Sequence, residues 1–320
     1  MQGGRLQIEV PSDRPSRKPA AASGSRLESD FCPDYAIRFC SEEPAIMTPG
    51  PSVLVLAGGS TLLVGAASLA AIRRLADEKA GYTRFLLGTC AAGICLNVGL
   101  LGLRAAETAA PVAISTSFDT RVLIASLLIL AALACLAARK LRGLEGLLLP
   151  IACLTQLAAW FKLGKAGPAA DYQSWFEAHS AAFALSATCF VLSGVAGIAY
   201  LVLNRVLRRK TPSPLFGKFA PLETLESLGR WTLLVGWPVF TFGILTGICE
   251  VAQSGQARRW LADPLIVFTF ITWLVYGFVL MRVLFWRSFR GYRSARWTAG
   301  SLILLGFTLL IVDLLSPMHR

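Results

Sequence analysis

From residue 51 onward the chain alternates between apolar runs and short polar links. The runs fall at about 51–72, 85–103, 122–138, 143–161, 179–203, 231–249, 264–286 and 297–316. Each holds about 17–25 residues, and a helix rising ~1.5 Å per residue crosses a ~30 Å hydrocarbon core in about 20. Backbone N–H and C=O groups in lipid must find partners within their own segment, so each run is predicted to be an α-helix. The third run is the shortest. The pattern implies an all-α, polytopic membrane helix bundle of about eight transmembrane helices.

Composition agrees. Of 320 residues, 55% are hydrophobic and 16% charged, against ~45–50% and ~25% in soluble domains. Mean hydropathy is +0.59. Residues 1–50 are a different material, rich in Pro, Ser and Arg and without apolar periodicity. Such a segment cannot bury enough surface to offset its ordering entropy, so a disordered polar tail is expected there. It also lacks the apolar core of a signal peptide. A translation start at Met47, just before the first run, is the alternative reading of this tail. The bundle itself spans 51–320.

The net charge of +12 is not a nucleic-acid footprint, which needs basic residues gathered on one soluble face. Here the odd-numbered links carry 18 basic residues, among them Arg73, Arg74, Arg142, Arg208, Arg209 and the five arginines from Arg282 to Arg296. The even-numbered links and the C-terminus carry 7. By the positive-inside rule the odd links face the cytoplasm, and both termini lie on the non-cytoplasmic side of a cell (inner, cytoplasmic) membrane. The eight cysteines form no CxxC, CxxCH or zinc spacing, and six of them sit in apolar runs as small hydrophobes. No P-loop, HExxH or nucleophile elbow occurs, which excludes those enzyme classes.

Ionisable groups at membrane depth are functional candidates because lipid makes them costly. His179 opens the fifth run and is one of two histidines, the other being His319 near the C-terminus. An imidazole there can ligate iron, take up a proton or anchor the helix at the interface. Glu250, Asp263 and Asp313 fall on the same side, and Asp313 is the deepest of them. Trp160, Phe161, Tyr172, Trp175, Phe176 and Trp260 gather near that interface, as an aromatic belt or as walls for a flat ligand. Trp231, Trp286 and Trp297 mark the opposite boundary. Asn97, Gln156, Thr246 and Thr272 are polar groups inside runs, expected to bond between helices. Gly243 and Gly247 form a GxxxG suited to close helix packing, and Pro238 is expected to bend the sixth helix.

Residues 175–312 resemble the cytochrome c assembly membrane-protein family, in the eight-span haem-handling branch similar to CcsA and HemX. The resemblance rests on order and spacing. His179 precedes a small-residue-rich span with a basic end at Arg208-Arg209-Lys210, and Pro221-Leu222-Glu223-Thr224-Leu225-Glu226 follows. Thr241 to Gly247 close the sixth run, Asp263-Pro264 open the seventh, and Gly291-Tyr292-Arg293-Ser294-Ala295-Arg296 link it to the eighth. Asp263-Pro264-Leu265 stands where a second family histidine is expected, and the family's Trp-rich signature is represented only by Trp160 and Trp175.

The resemblance implies haem as the cofactor. His179 would ligate its iron, Trp160, Trp175 and Asp313 would contribute to the site, and a second ligand would come from water, Met318, His319 or a partner. It implies delivery of haem at the outer face for cytochrome c maturation. Another assembly membrane protein and apocytochrome c would be the partners, beside membrane lipid and without nucleic acid. Binding and delivery are expected rather than catalysis, with at most a share in a haem lyase complex. Two alternatives stand beside this reading. One is an accessory or regulatory scaffold of haem metabolism that holds no haem and docks through its glycine faces. The other is a small-solute transporter built around Pro238, Asp313 and Glu250.

Overall fold

In a computed structural model of the chain, the described residues are 49–76, 80–108, 114, 116–164, 173–209, 219–254, 264–286 and 289–314. The N-terminal tail to residue 48 lies outside them. Among the described residues there are eight α-helices and no strand: α1 (Pro51–Ala76), α2 (Ala80–Thr108), α3 (Ser117–Ala137), α4 (Glu145–Trp160), α5 (Gln173–Arg209), α6 (Leu222–Ser254), α7 (Pro264–Phe285) and α8 (Tyr292–Leu314). One helix stands in place of each apolar run. Six of them, α1 to α3 and α5 to α7, are long and apolar enough by themselves to cross a membrane. The chain is a multi-pass membrane protein.

Helix lengths depart from the runs where polar residues find partners. The third run yields a helix of 21 residues, not the shortest one. Thr116 caps it, its hydroxyl oxygen accepting from the Asp119 backbone N–H at 3.3 Å, and Arg104 on α2 pairs with the buried Asp119 carboxylate. That pairing lets the helix begin in what reads as a polar link. The fourth run contracts instead to 16 residues. Gly143 has φ of 89°, a left-handed conformation that a side chain would resist, so the tight α3–α4 connection takes the run's first two residues. At the other extreme, α5 has 37 residues. At ~1.5 Å each this exceeds the bilayer core, and its last turns carry the exposed Arg205, Arg208 and Arg209. The segment after Pro221 reads as a link but is the first turns of α6, with Leu225 buried.

Residue pairings show that the helices alternate in direction. Val53 at the start of α1, Leu100 and Leu101 near the end of α2, Phe118 and Val122 at the start of α3 and Ala159 at the end of α4 form one apolar cluster. Arg74 near the end of α1 meets Glu145 at the start of α4 at 2.6 Å. In the second half, early α5 pairs with late α6, and early α7 with late α8. Helices α1 to α4 pack among themselves, as do α5 to α8, and α3 and α4 join the two groups through α5. The most extensive contact is between α5 and α6. A shared core runs through both groups, from Val64 and Leu128 to Phe190, Phe240 and Tyr276.

Polar groups inside the first group are knitted together. The Gln156 amide donates to Ser60 Oγ and to Asn97 Oδ1, both at 3.0 Å, and Asn97 donates to Ser126 Oγ at 3.0 Å. One network thus ties α1, α2, α3 and α4, as expected for Asn97 and Gln156. Thr272 also bonds between helices, to Thr308 at 2.9 Å. Thr246 does not. Its hydroxyl turns back on its own helix, to Gly243 O at 2.8 Å, because a threonine reaches the carbonyl three or four residues earlier without any neighbour.

Candidate functional site

His179 lies in the second turn of α5, facing the last third of α6. Its Nδ1 is 2.8 Å from the Gly243 carbonyl oxygen. A carbonyl only accepts, so Nδ1 carries the proton and donates. The neutral ring then holds its lone pair on Nε2, the tautomer that a metal ligand needs. The same Gly243 oxygen accepts from Thr246, which fixes the acceptor in place.

Gly247 makes room for this geometry. A Cβ on Gly247 would stand 3.0 Å from His179 Nδ1 and 3.1 Å from Cε1. On Gly243 it would make an ordinary contact with Ala182 Cβ at 3.4 Å. Gly247 therefore admits the imidazole, while Gly243 lies in ordinary contact with α5 and supplies the acceptor carbonyl. The spacing predicts close packing, and the structure adds a histidine seat that the spacing does not reveal. Beneath the ring, Phe183 stacks at 6.4 Å between centroids. Phe240, Phe190 and Tyr276 continue the aromatic column into the core, the last two stacked at 3.8 Å. That floor is apolar, so the imidazole lies where water is scarce on one side.

The remaining predicted site residues are dispersed. Trp175 begins the same helix and is partly exposed, at 36%. The Trp160 indole N–H donates to Thr61 Oγ1 at 3.0 Å, and its ring packs on the Val53 cluster between α1 and α4. No hydrogen bond or ring contact joins Trp160 to His179 among the described residues. Asp313 and Glu250 lie on α8 and α6, but their side chains fall outside the described residues, as do Asp263, Trp260, Tyr172, Met318 and His319. No group of three or more His, Cys, Asp or Glu side chains is gathered as a metal site among the described residues. Among the described residues, the donor set offered to a metal here is one imidazole.

Two features escape the sequence reading. Glu177, two residues before His179, is 7% exposed, and its Oε1 has no hydrogen-bond partner among the described residues. Trp237 and Trp273 stack at 5.4 Å, the first donating to Trp273 O at 3.2 Å and the second to Thr241 Oγ1 at 2.9 Å. Trp237 and Thr241 are four residues apart on α6, and that spacing on one helix face was the available signal. Gly277 allows the stack, since a Cβ there would meet Trp237 Nε1 at 2.7 Å.

A family model described as cytochrome C assembly protein matches residues 100–319. The match is wider than the resemblance over 175–312 and takes in α3 and α4. Among curated proteins, the chain is 27% identical over 158 residues to a cytochrome c biogenesis protein CcsA from Guillardia theta, covering 45% of this chain and 52% of that protein. It is 33% identical over 99 residues to a protein of the same name from Synechococcus sp. (strain CC9311), covering 31% of this chain and 32% of that protein. The chain thus aligns with about half the length of the first and a third of the second. No solved structure matches.

Proposed function

Because the chain belongs to the cytochrome c assembly protein family, we propose that it serves cytochrome c maturation by holding haem at the His179 end of α5 and α6. Both relatives carry cytochrome c biogenesis in their names. The observation that carries the reading is the 2.8 Å bond from His179 Nδ1 to the Gly243 carbonyl. It orients the imidazole and leaves Nε2 with the lone pair, and second bonds of this kind accompany nearly all metal-bound histidines. A single neutral nitrogen donor fits a haem iron, whose four equatorial positions the porphyrin fills itself. It does not suit a bare divalent ion, which needs several protein ligands.

In this reading Gly243 and Thr246 hold the imidazole, and Gly247 leaves room for it. Phe183 and Phe240 exclude water from its inner side, and Trp175 is positioned one turn earlier to flank a flat ligand. Haem, as cargo, supplies the group that is later attached to apocytochrome c. The chain's own residues bind and orient. The arginine-rich links face the cytoplasm of the inner membrane, which puts His179 on the outer side, where apocytochrome c and a second assembly protein would meet it. Docking of a partner through Gly243 and Gly247 is disfavoured, because α5 already occupies that face.

The test is the absorption spectrum of the full chain purified from membranes, beside His179→Ala and His319→Ala. A Soret band in the parent and in His319→Ala, lost or shifted in His179→Ala, is the expected result. A band unaltered by His179→Ala contradicts the ligand assignment, and no band after haem is added contradicts haem holding altogether.

A further inference from the structure

At the opposite end of α7 and α8 lies a second built feature. Between residues 264 and 312 the sequence has five arginines and no acidic residue. A groove of about 320 Å³ opens between the helices, lined by Val275, Arg296, Trp297, Gly300, Ser301 and Leu304. That is the low end of the range for small-molecule sites. The α8 contributors Trp297, Gly300, Ser301 and Leu304 follow the i, i+3, i+4, i+7 spacing of one helix face.

Gly300 is what opens the groove. A Cβ there would meet nothing within 4 Å, so this glycine does not serve helix packing, unlike Gly194 and Gly197, where a Cβ would strike α8. Above the groove, Trp297 packs edge-on against Phe278 at 5.6 Å. Phe278 in turn lies 5.8 Å from the Arg282 guanidinium, which is also ringed by Trp286 at 4.7 Å and Phe289 at 5.3 Å. Arg282 Nε is buried with no hydrogen-bond acceptor among the described residues. Nearby acids are those of α6, where Glu226 approaches Gly291 on the side of Tyr200. The groove side has none among the described residues.

A largely apolar cleft with the exposed Arg296 guanidinium at its lining matches one chemistry, an amphiphile with an acyl chain and an anionic head. Basic pockets between helices at a membrane surface select such lipids. We propose that the α7–α8 groove is a binding site for an anionic phospholipid, its acyl chain lying over Gly300 and its phosphodiester on Arg296. The site is independent of haem holding at His179.

Full-length protein, delipidated in mild detergent, is titrated with dioleoylphosphatidylglycerol and with dioleoylphosphatidylcholine, and bound lipid is counted by native mass spectrometry. One phosphatidylglycerol per chain is expected, held about tenfold more tightly than the neutral lipid of identical chains. Gly300→Leu fills the groove and weakens phosphatidylglycerol about tenfold, with the lipid-free melting temperature unchanged. Arg296→Gln, an exposed position, brings the two lipids close to equal. Equal binding by the parent protein overturns the proposal. So does Gly300→Leu binding phosphatidylglycerol like the parent, or haemin displacing the lipid one for one. Should Gly300→Leu lower the melting temperature, Arg296→Gln decides alone, an undiminished preference refuting the site.

Discussion

An imidazole becomes an iron ligand only when its free nitrogen is correctly placed and aimed, and here a carbonyl 64 residues away in sequence holds the proton on Nδ1 and orients the ring. His179 was legible as a candidate because the chain has only two histidines. Its acceptor was not, since nothing in the spacing of Gly243 and Gly247 says which residue of which helix will face them. Gly247→Val should therefore behave like a ligand-support variant. The added side chain displaces the ring from the Gly243 oxygen, and haem affinity in a spectroscopic titration should fall about 10- to 100-fold. Affinity equal to the parent's would mean that the seat is irrelevant. A second residue-level test concerns Arg74, buried against Glu145 at 2.6 Å. Arg74→Met strands the carboxylate, whose Oε2 has no hydrogen-bond partner among the described residues, and should cost about 3–5 kcal/mol in thermal or denaturant unfolding. Arg74→Met with Glu145→Met should recover most of that loss, because the uncompensated charge is gone.

Helices form from apolar runs because lipid leaves the backbone no other partner, which is why all eight elements could be read from hydropathy alone. Their ends could not. The start of α3 depends on Thr116 and on the Arg104–Asp119 pair, and the start of α4 on the left-handed turn at Gly143. The first turns of α6 depend on Leu225 finding the core. Each is a tertiary contact that turns a polar link into helix or a run into turn. Thr246 and Thr272 show the same limit: identical residues in similar spans, one satisfied within its helix and the other across to Thr308. Only packing separates them. The Trp237–Trp273 stack was missed for the same reason, as it requires the glycine at 277 on the neighbouring helix.

Alternating helix directions place Pro51 and Leu314 at the same end of the bundle, and from the charge bias we propose that this end faces outside. Reporter cysteines can check this on a background without native cysteines. With Phe161→Cys, exposed in the turn after α4, an impermeant maleimide added to intact cells should label the protein. With Arg142→Cys, in the turn before α4, labelling should require permeabilised membranes. The reverse pattern would invert the topology and put His179 on the cytoplasmic side. Family membership covers residues 100–319, and within them His179 is the one histidine among the described residues. The account therefore stands on whether this imidazole binds iron. The direct measurement is the haem absorption spectrum of His179→Gly purified with and without added imidazole. Loss of the parent Soret band in the variant and its return with free imidazole, which would occupy the vacated seat between Gly243 and Gly247, is the expected result. A parent-like band in His179→Gly without imidazole would show that the iron is held elsewhere.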